Sequence, residues 1–544
     1  MSAAMFATRS AMDRKSARIL PQYNSLHHRP WWKLLVLAFI IMAVFLTMYT
    51  GFLVAIGGTL AFRFVGFPIA VMALLGLWLL PDVQKADKAP FWKLLSAYMF
   101  LMVAWPTYVA VAIPGLPWVT PPRLILALLL VVMLTHFPQI AEARRKVVEL
   151  VGYDKLAFRL YLLFMVMEVV VLPLSPAPVD VLSYQIMQTV LDLSAMIAAA
   201  WLFADIRAVP RLLRVLCYAG ILTFVVAILE NLMQRPPWMG YLPNFFRIDS
   251  ELLETYMSPQ ARIGDGRYRV RATFGIVLYY SQYLGIIIPP LLYEMWRMRG
   301  WKRALAILMI PLILQAVWFC NARTAFIALF VSLFGFGGMI MIRQLFFRQR
   351  GDALKPGIMV ALVMLGVAGM AGAIAGSHRL QMYTIGGSQH AGSNAVRDQQ
   401  WAGAWRAVGK NPIGVGMGIP LPEVGAVSSK GIAIVDSYYI NLLVGVGPLG
   451  FIGFMGCLAR IAWLGAMTFM RAADELEEWG GALALSLVNF IISAYVISFA
   501  DNNYLVFTIA VAVLALHRHQ SRRLEAEGMA PKQLGSPSTA LVRR

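Results

Sequence analysis

The stretch IVDSYYINLLVGVGPLGFIG, residues 434–453, sets an acid, Asp436, immediately before an apolar run. An acid there sheds hydration as the chain enters lipid, so it needs a partner or a task. The apolar run continues to residue 470, too long for one straight crossing. Gly445, Gly447 and Pro448 predict a break, giving a short outer helix followed by a full span. Working outward, the same kind of run recurs along most of the chain, and that recurrence decides the fold class: all-α, polytopic, membrane-embedded.

Composition agrees. The 544 residues are 60% hydrophobic and only 14% charged, with mean hydropathy +0.68. Soluble domains carry about 25% charged residues, so a soluble enzyme is excluded. The net charge of +20 raises the question of a nucleic-acid partner, but no basic module stands apart from the apolar runs. The excess of Lys and Arg in cytoplasmic loops accounts for most of it. Cys217, Cys320 and Cys457 lie in or beside apolar runs, an odd set that predicts neither a disulfide framework nor a zinc site.

Spanning helices need about 20 apolar residues each. Fourteen spans are expected, at 34–55, 60–80, 91–113, 123–138, 156–174, 181–203, 212–230, 272–295, 303–320, 324–342, 356–376, 438–470, 480–500 and 503–517. Residues 1–33 read as a basic cytoplasmic tail, 34–517 as the polytopic domain and 518–544 as a second cytoplasmic tail. With the N-terminus inside, EARRKVVELVGYDK, DIRAVPRLLR, WRMRGWKR and RQLFFRQRGDALK are cytoplasmic. The opposite short loops PGLPWVTPP, PLSPAPVD and ADNN carry no Lys or Arg.

Two outer loops, 231–271 and 377–437, break this charge rule. Long loops are partly exempt, so a solvated surface and an anion-facing surface are equally good readings. Three arginines stand at or near helix ends on that face: Arg271, Arg323 in the tight turn FCNARTAFIALF, and Arg397. One such arginine is ordinarily an interfacial anchor. Three on one face fit an anionic partner, because a guanidinium grips phosphate oxygens bidentately and suits a diphosphate.

After Arg271 come Tyr279, Tyr280, Ser281, Gln282 and Tyr283. Tyr283 lies roughly 18 Å along a helix from Arg271, too deep for an aromatic belt. These groups read as cavity-lining, with helix–helix hydrogen bonding as the competing account. Glu168 and Asp192 are further acids within spans, either on an ion or proton path or paired structurally. GVGMG at 414–418 lacks the strand–loop–helix setting of a phosphate loop and reads as an irregular loop over the cavity mouth. His378 and His390 have no metal-ligand spacing around them, so no metal is expected.

In RATFG, NARTA, RDQQWAGAWRAVGKNPIGVGMG and DSYYINLLVGVGPLG, over about 265–460, the chain resembles the O-antigen ligase and O-antigen polymerase superfamily. That resemblance implies a GT-C-like glycosyltransferase of the bacterial inner membrane, without cofactor. It implies a polyprenyl-diphosphate-linked glycan as donor and a saccharide acceptor at the periplasmic face. Other polysaccharide-assembly proteins are implied partners. Family ligases begin the last motif with His; Asp436 stands there, followed by Ser437, nine residues, Gly447, two residues and Gly450. The departure favours a polymerase over a ligase and makes Asp436 the implied base; the rivals are that Asp436 caps the helix with Ser437 or pairs with an arginine, or that His390 or His378 is the base. Arg271, Arg323 and Arg397 are the implied diphosphate ligands. A transporter or lipid-linked sugar flippase is the reading from another class, though no internal repeat supports it.

Overall fold

The computed structural model describes residues 88–106, 108–111, 119–137, 140–243, 246–248, 263–264, 267–347, 391–418, 424–427, 433–497 and 502–528, with isolated positions before 49 and between 369 and 381. The expected spans 34–55, 60–80 and 356–376, the N-terminal tail, most of the C-terminal tail, His378 and His390 lie wholly or largely outside these residues.

Helices dominate: α1 (Ala89–Ala104), α2 (Pro121–His136), α3 (Ala141–Val151), α4 (Lys155–Val171), α5 (Pro178–Phe203), α6 (Ala208–Met233), α7 (Val277–Arg297), α8 (Trp301–Cys320) and α9 (Arg323–Ile342). After them come α10 (Ala391–Lys410), α11 (Tyr438–Gly445), α12 (Gly447–Met470), α13 (Trp479–Ala494) and α14 (Asn503–Ala526). Six helices among the described residues are long and apolar enough to cross a membrane. The protein is therefore an all-α membrane protein.

Three short antiparallel hairpins complete it: Val109–Val111 with Phe246–Ile248, Ile263–Gly264 with Arg267–Tyr268, and Ala426–Val427 with Ala433–Ile434. All but Val109–Val111, which lies in the expected span 91–113, fall in the loops 231–271 and 377–437 that are expected on the outer side.

Local chemistry explains where elements stop. The expected span 91–113 ends early, at Ala104, because Pro106 follows, and Val109–Val111 becomes a strand instead. The expected span 272–295 begins late, at Val277. Asn321 takes a left-handed conformation (φ 48°) and turns α8 into α9 within two residues. The break expected in 438–470 is present: α11 ends at Gly445, Gly447 adopts φ 71°, and Pro448 sits in the first turn of α12.

α7, α13 and α14 form the centre. Every residue from Tyr279 to Leu291 and from Asn502 to Leu516 is buried. α12 packs on α4 at backbone distance: a Cβ on Gly453 would fall 2.7 Å from the Leu160 carbonyl oxygen.

Charge is distributed unevenly. Among the described residues, the ion pairs all lie at the helix ends assigned to the cytoplasm. They include Arg460 with Asp154 (2.8 Å), Arg214 with Glu294 (2.9 Å), Arg343 with Glu478 (2.9 Å) and Arg523 with Glu477 (2.9 Å). Burial would raise the Glu477 carboxyl, but Arg523, Gln520 and the Ala473 N–H hold it below its ordinary value.

Candidate active site

Asp436 leads into α11 at the end that the charge pattern predicts to be outer. Its backbone N–H donates to Gln400 Oε1 at 3.1 Å, and Gln400, on α10, is 1% exposed. Docking of α10 on α11 builds this contact, through an apolar cluster of Ala404, Val435, Ile440 and Val444. Trp401 stacks on Tyr495 at 5.6 Å and ties the same helix to the end of α13. The Asp436 carboxyl, half-buried, makes no hydrogen bond or ion pair among the described residues. Nor does α11 use a side-chain cap: Ser437 occupies the N-cap position without capping, and its Oγ is unbonded. The rival capping role of Asp436 is not what this geometry displays.

Arg397 lies one turn before Gln400 on α10, half-buried, with its Nε enclosed and unbonded. Burial pushes the Asp436 carboxyl above its ordinary value, and the nearby Arg397 charge opposes that rise without cancelling it. The outcome is a carboxyl more basic than an exposed aspartate, without a hydrogen-bond donor among the described residues and near the Arg397 guanidinium.

The glycine loop 414–418 closes the floor of this region. The Val415 N–H donates to the Val444 carbonyl at 3.0 Å and the Gly416 N–H to the Gly445 carbonyl at 2.9 Å. Carbonyls at the end of α11, which a helix break would leave open, are thereby satisfied. A Cβ on Gly414 would lie 2.4 Å from the Gly445 oxygen, and one on Gly447 would lie 2.5 Å from the Pro412 oxygen. GVGMG is thus a splint across the break between α11 and α12, and Gly447 of the long motif belongs to the same joint.

Arg271 occupies a different environment. It is 2% exposed, its Nη1 donates to the Gly275 carbonyl at 2.8 Å, and its guanidinium carbon lies 5.6 Å from the Tyr108 ring centroid. Glu230, fully buried at the end of α6, organises the turn. It accepts from the Arg271 and Ala272 N–H groups at 3.2 and 2.7 Å and from the Tyr268 hydroxyl at 2.8 Å. Sequence reasoning passed over Glu230, although an acid inside the apolar run AILENLM was the signal available.

Arg323 is the first residue of α9 and half-buried. Among the described residues no hydrogen bond or ion pair joins Arg271 or Arg323 to Asp436, so of the three arginines the structure brings only Arg397 to the acid.

Tyr279, Tyr280, Gln282 and Tyr283 are surrounded by packing. Gln282 Oε1 accepts from Asn502 Nδ2 at 2.9 Å, Ser281 bonds Thr324 at 2.7 Å, and the Phe274 ring lies 5.0 Å from Tyr283. Helix–helix hydrogen bonding, the competing account of this polar run, describes Ser281 and Gln282. At the opposite end Asp474, Glu477 and His519 gather with ligand atoms within 4.8 Å. Glu477 is already engaged there by Arg523, Gln520 and Ala473, which makes the group a structural network.

No protein-family model matches the chain, and no curated protein matches it.

Proposed function

We propose that the chain is a metal-independent glycosyltransferase of the bacterial inner membrane: a polysaccharide polymerase of about fourteen spans with GT-C-like architecture. It transfers a glycan from polyprenyl diphosphate to a sugar hydroxyl on the periplasmic face. The observation that carries this reading is the Asp436 carboxyl at the start of α11, without a donor among the described residues, raised by burial and close enough to Arg397 to feel its charge.

In the reaction Asp436 takes the proton of the acceptor hydroxyl, and the acceptor oxygen bonds to the anomeric carbon. The bond from that carbon to the diphosphate breaks, and the polyprenyl diphosphate leaves with the electron pair. Its developing charge needs cations more than a proton, the role assigned to Arg397, Arg271 and Arg323. Arg271 would exchange the Gly275 carbonyl for a phosphate oxygen.

Turnover of a synthetic polyprenyl-diphosphate sugar in proteoliposomes tests this. Asp436→Asn should bind donor yet lose about 10²–10⁴-fold in rate; near-normal turnover rejects the base. A ligase acting on lipid A-core or protein is the second reading, favoured by the Asp436, Ser437, Gly447, Gly450 spacing. A deletion strain separates the two: single repeats without polymer mean polymerase, and accumulated lipid-linked polymer means ligase.

A further inference from the structure

α10 docks on α11 through Gln400 and Ala404, and the ridge beside that face carries Arg397, Trp401 and Trp405 at four-residue spacing. The ridge begins near Asp436 and reaches Trp405 about 12 Å further along the helix. Its rings continue onto the end of α13. Trp405 lies 6.2 Å from Trp401 at 34°, and Trp401 stacks on Tyr495 at 5.6 Å and 22°. Packing does not cover this series: Trp405 is 57% exposed and Tyr495 46%. The indole N–H groups of Trp401 and Trp405 and the Tyr495 hydroxyl make no hydrogen bond among the described residues. Small residues flank Trp405, with Ala402 three positions before it and Gly409 four after, and a Cβ on Gly409 would meet nothing within 4 Å. Asp398, Gln399 and Arg406 share the exposed face of the helix.

Such a surface suits a ligand with flat apolar faces and polar rims. A hydrocarbon tail is a poor match, because it would strip Asp398, Gln399 and Arg406 of water. A pyranose matches: its C–H face lies on the negative face of an aromatic ring, and its hydroxyls meet the indole N–H and tyrosine groups. We propose that Trp401, Trp405 and Tyr495 form a sugar-binding platform for the glycan chain behind the reacting unit. Rings repeated at 5.6 and 6.2 Å suit several linked sugars better than one. Trp401 follows Gln400, which accepts from the Asp436 N–H, so α10 couples the position of a bound chain to that of the proposed base. The platform rests on the transferase reading for its ligand and adds where the chain lies. A membrane-interface belt also uses amphipathic rings, but it gives no role to a stacked series that starts beside Asp436.

Binding to the full-length protein in nanodiscs tests it. The probe is the surface polysaccharide of the source cell, released from its lipid and cut to oligosaccharides of several repeats. Saturable binding by wild type is expected, weakened about 2–12-fold in Trp405→Leu and Tyr495→Leu, the worth of one ring contact. Trp405→Phe, which keeps a flat ring, should bind nearly as wild type does. Absence of binding by wild type, or equal binding by wild type and the Leu variants, overturns the platform. So does a lower unfolding midpoint in the Leu variants with binding unchanged, which would make the rings membrane anchors. Where Trp405→Leu fails to fold, Tyr495→Leu decides. Turnover separates the two readings: a wild type that binds the oligosaccharide but transfers nothing keeps the platform and rejects the transferase. A wild type that transfers glycan with no effect of the Leu variants on binding does the reverse.

Discussion

Asp436 and Glu230 are both acids near helix ends, yet their surroundings differ in kind. Asp436 has an unbonded carboxyl raised by burial. A folded-state pKa above the unfolded value, about 3.9, means that folding takes up protons between the two, so stability falls as pH rises through that window. Asp436→Asn removes the loss. The variant should therefore melt at or above the wild-type temperature at neutral pH while losing turnover; an inactive variant that also melts lower would give Asp436 a structural role. The acid limb of the wild-type rate profile should likewise lie above the ordinary aspartate value. Glu230 accepts three hydrogen bonds, two of them from the backbone around Arg271. Glu230→Ala should cost roughly 2–5 kcal/mol and speed amide exchange at 271–272; unchanged exchange there would refute the cradle. Asp436 was legible in sequence because a motif surrounds it. Glu230 was not, because its partners lie about forty residues away on a loop that no periodicity describes.

At the scale of elements, the joint between α11 and α12 depends on positions where no side chain fits. Gly447→Ala would meet the Pro412 and Ile413 carbonyls and hold an L-residue at φ 71°. It should cost roughly 2–4 kcal/mol, read as a lower unfolding midpoint, whereas a wild-type midpoint would show that the joint relaxes freely. The break itself was readable from Gly445, Gly447 and Pro448, since those residues act through local backbone rules. α10 was not, and residues 377–437 read as a loop. Its sequence carries Arg397, Asp398, Arg406 and Lys410 and turns only a narrow apolar edge to α11. What makes it helical is that docking, which is tertiary information.

Across the whole molecule, apolar run length made an all-α membrane protein legible, because lipid imposes that constraint on sequence directly, while Lys/Arg placement predicts the sidedness. Span ends were less so: at Ala104 and Val277 proline and a Glu230-bound turn decide. A topological prediction follows from the charge asymmetry. Cysteines replacing Gln234 on the outer side and Lys302 on the inner side, both exposed, should react oppositely with an impermeant thiol reagent. In intact spheroplasts the first labels and the second labels only after lysis; the reverse pattern would invert the molecule.

The gathering of the ion pairs among the described residues at one end also has a mechanical meaning. Directional, charge-assisted contacts such as Arg460 with Asp154 and Arg523 with Glu477 clamp the base of the bundle. The rim around Asp436 is held by stacked rings, apolar faces and single hydrogen bonds, such as Trp401 on Tyr495 and Gln400 on Asp436. Helices fixed at one end and lightly tied at the other part like the jaws of tongs, widest where the tie is weakest. A long lipid tail sliding in sideways would spread the rim and leave the hinge untouched.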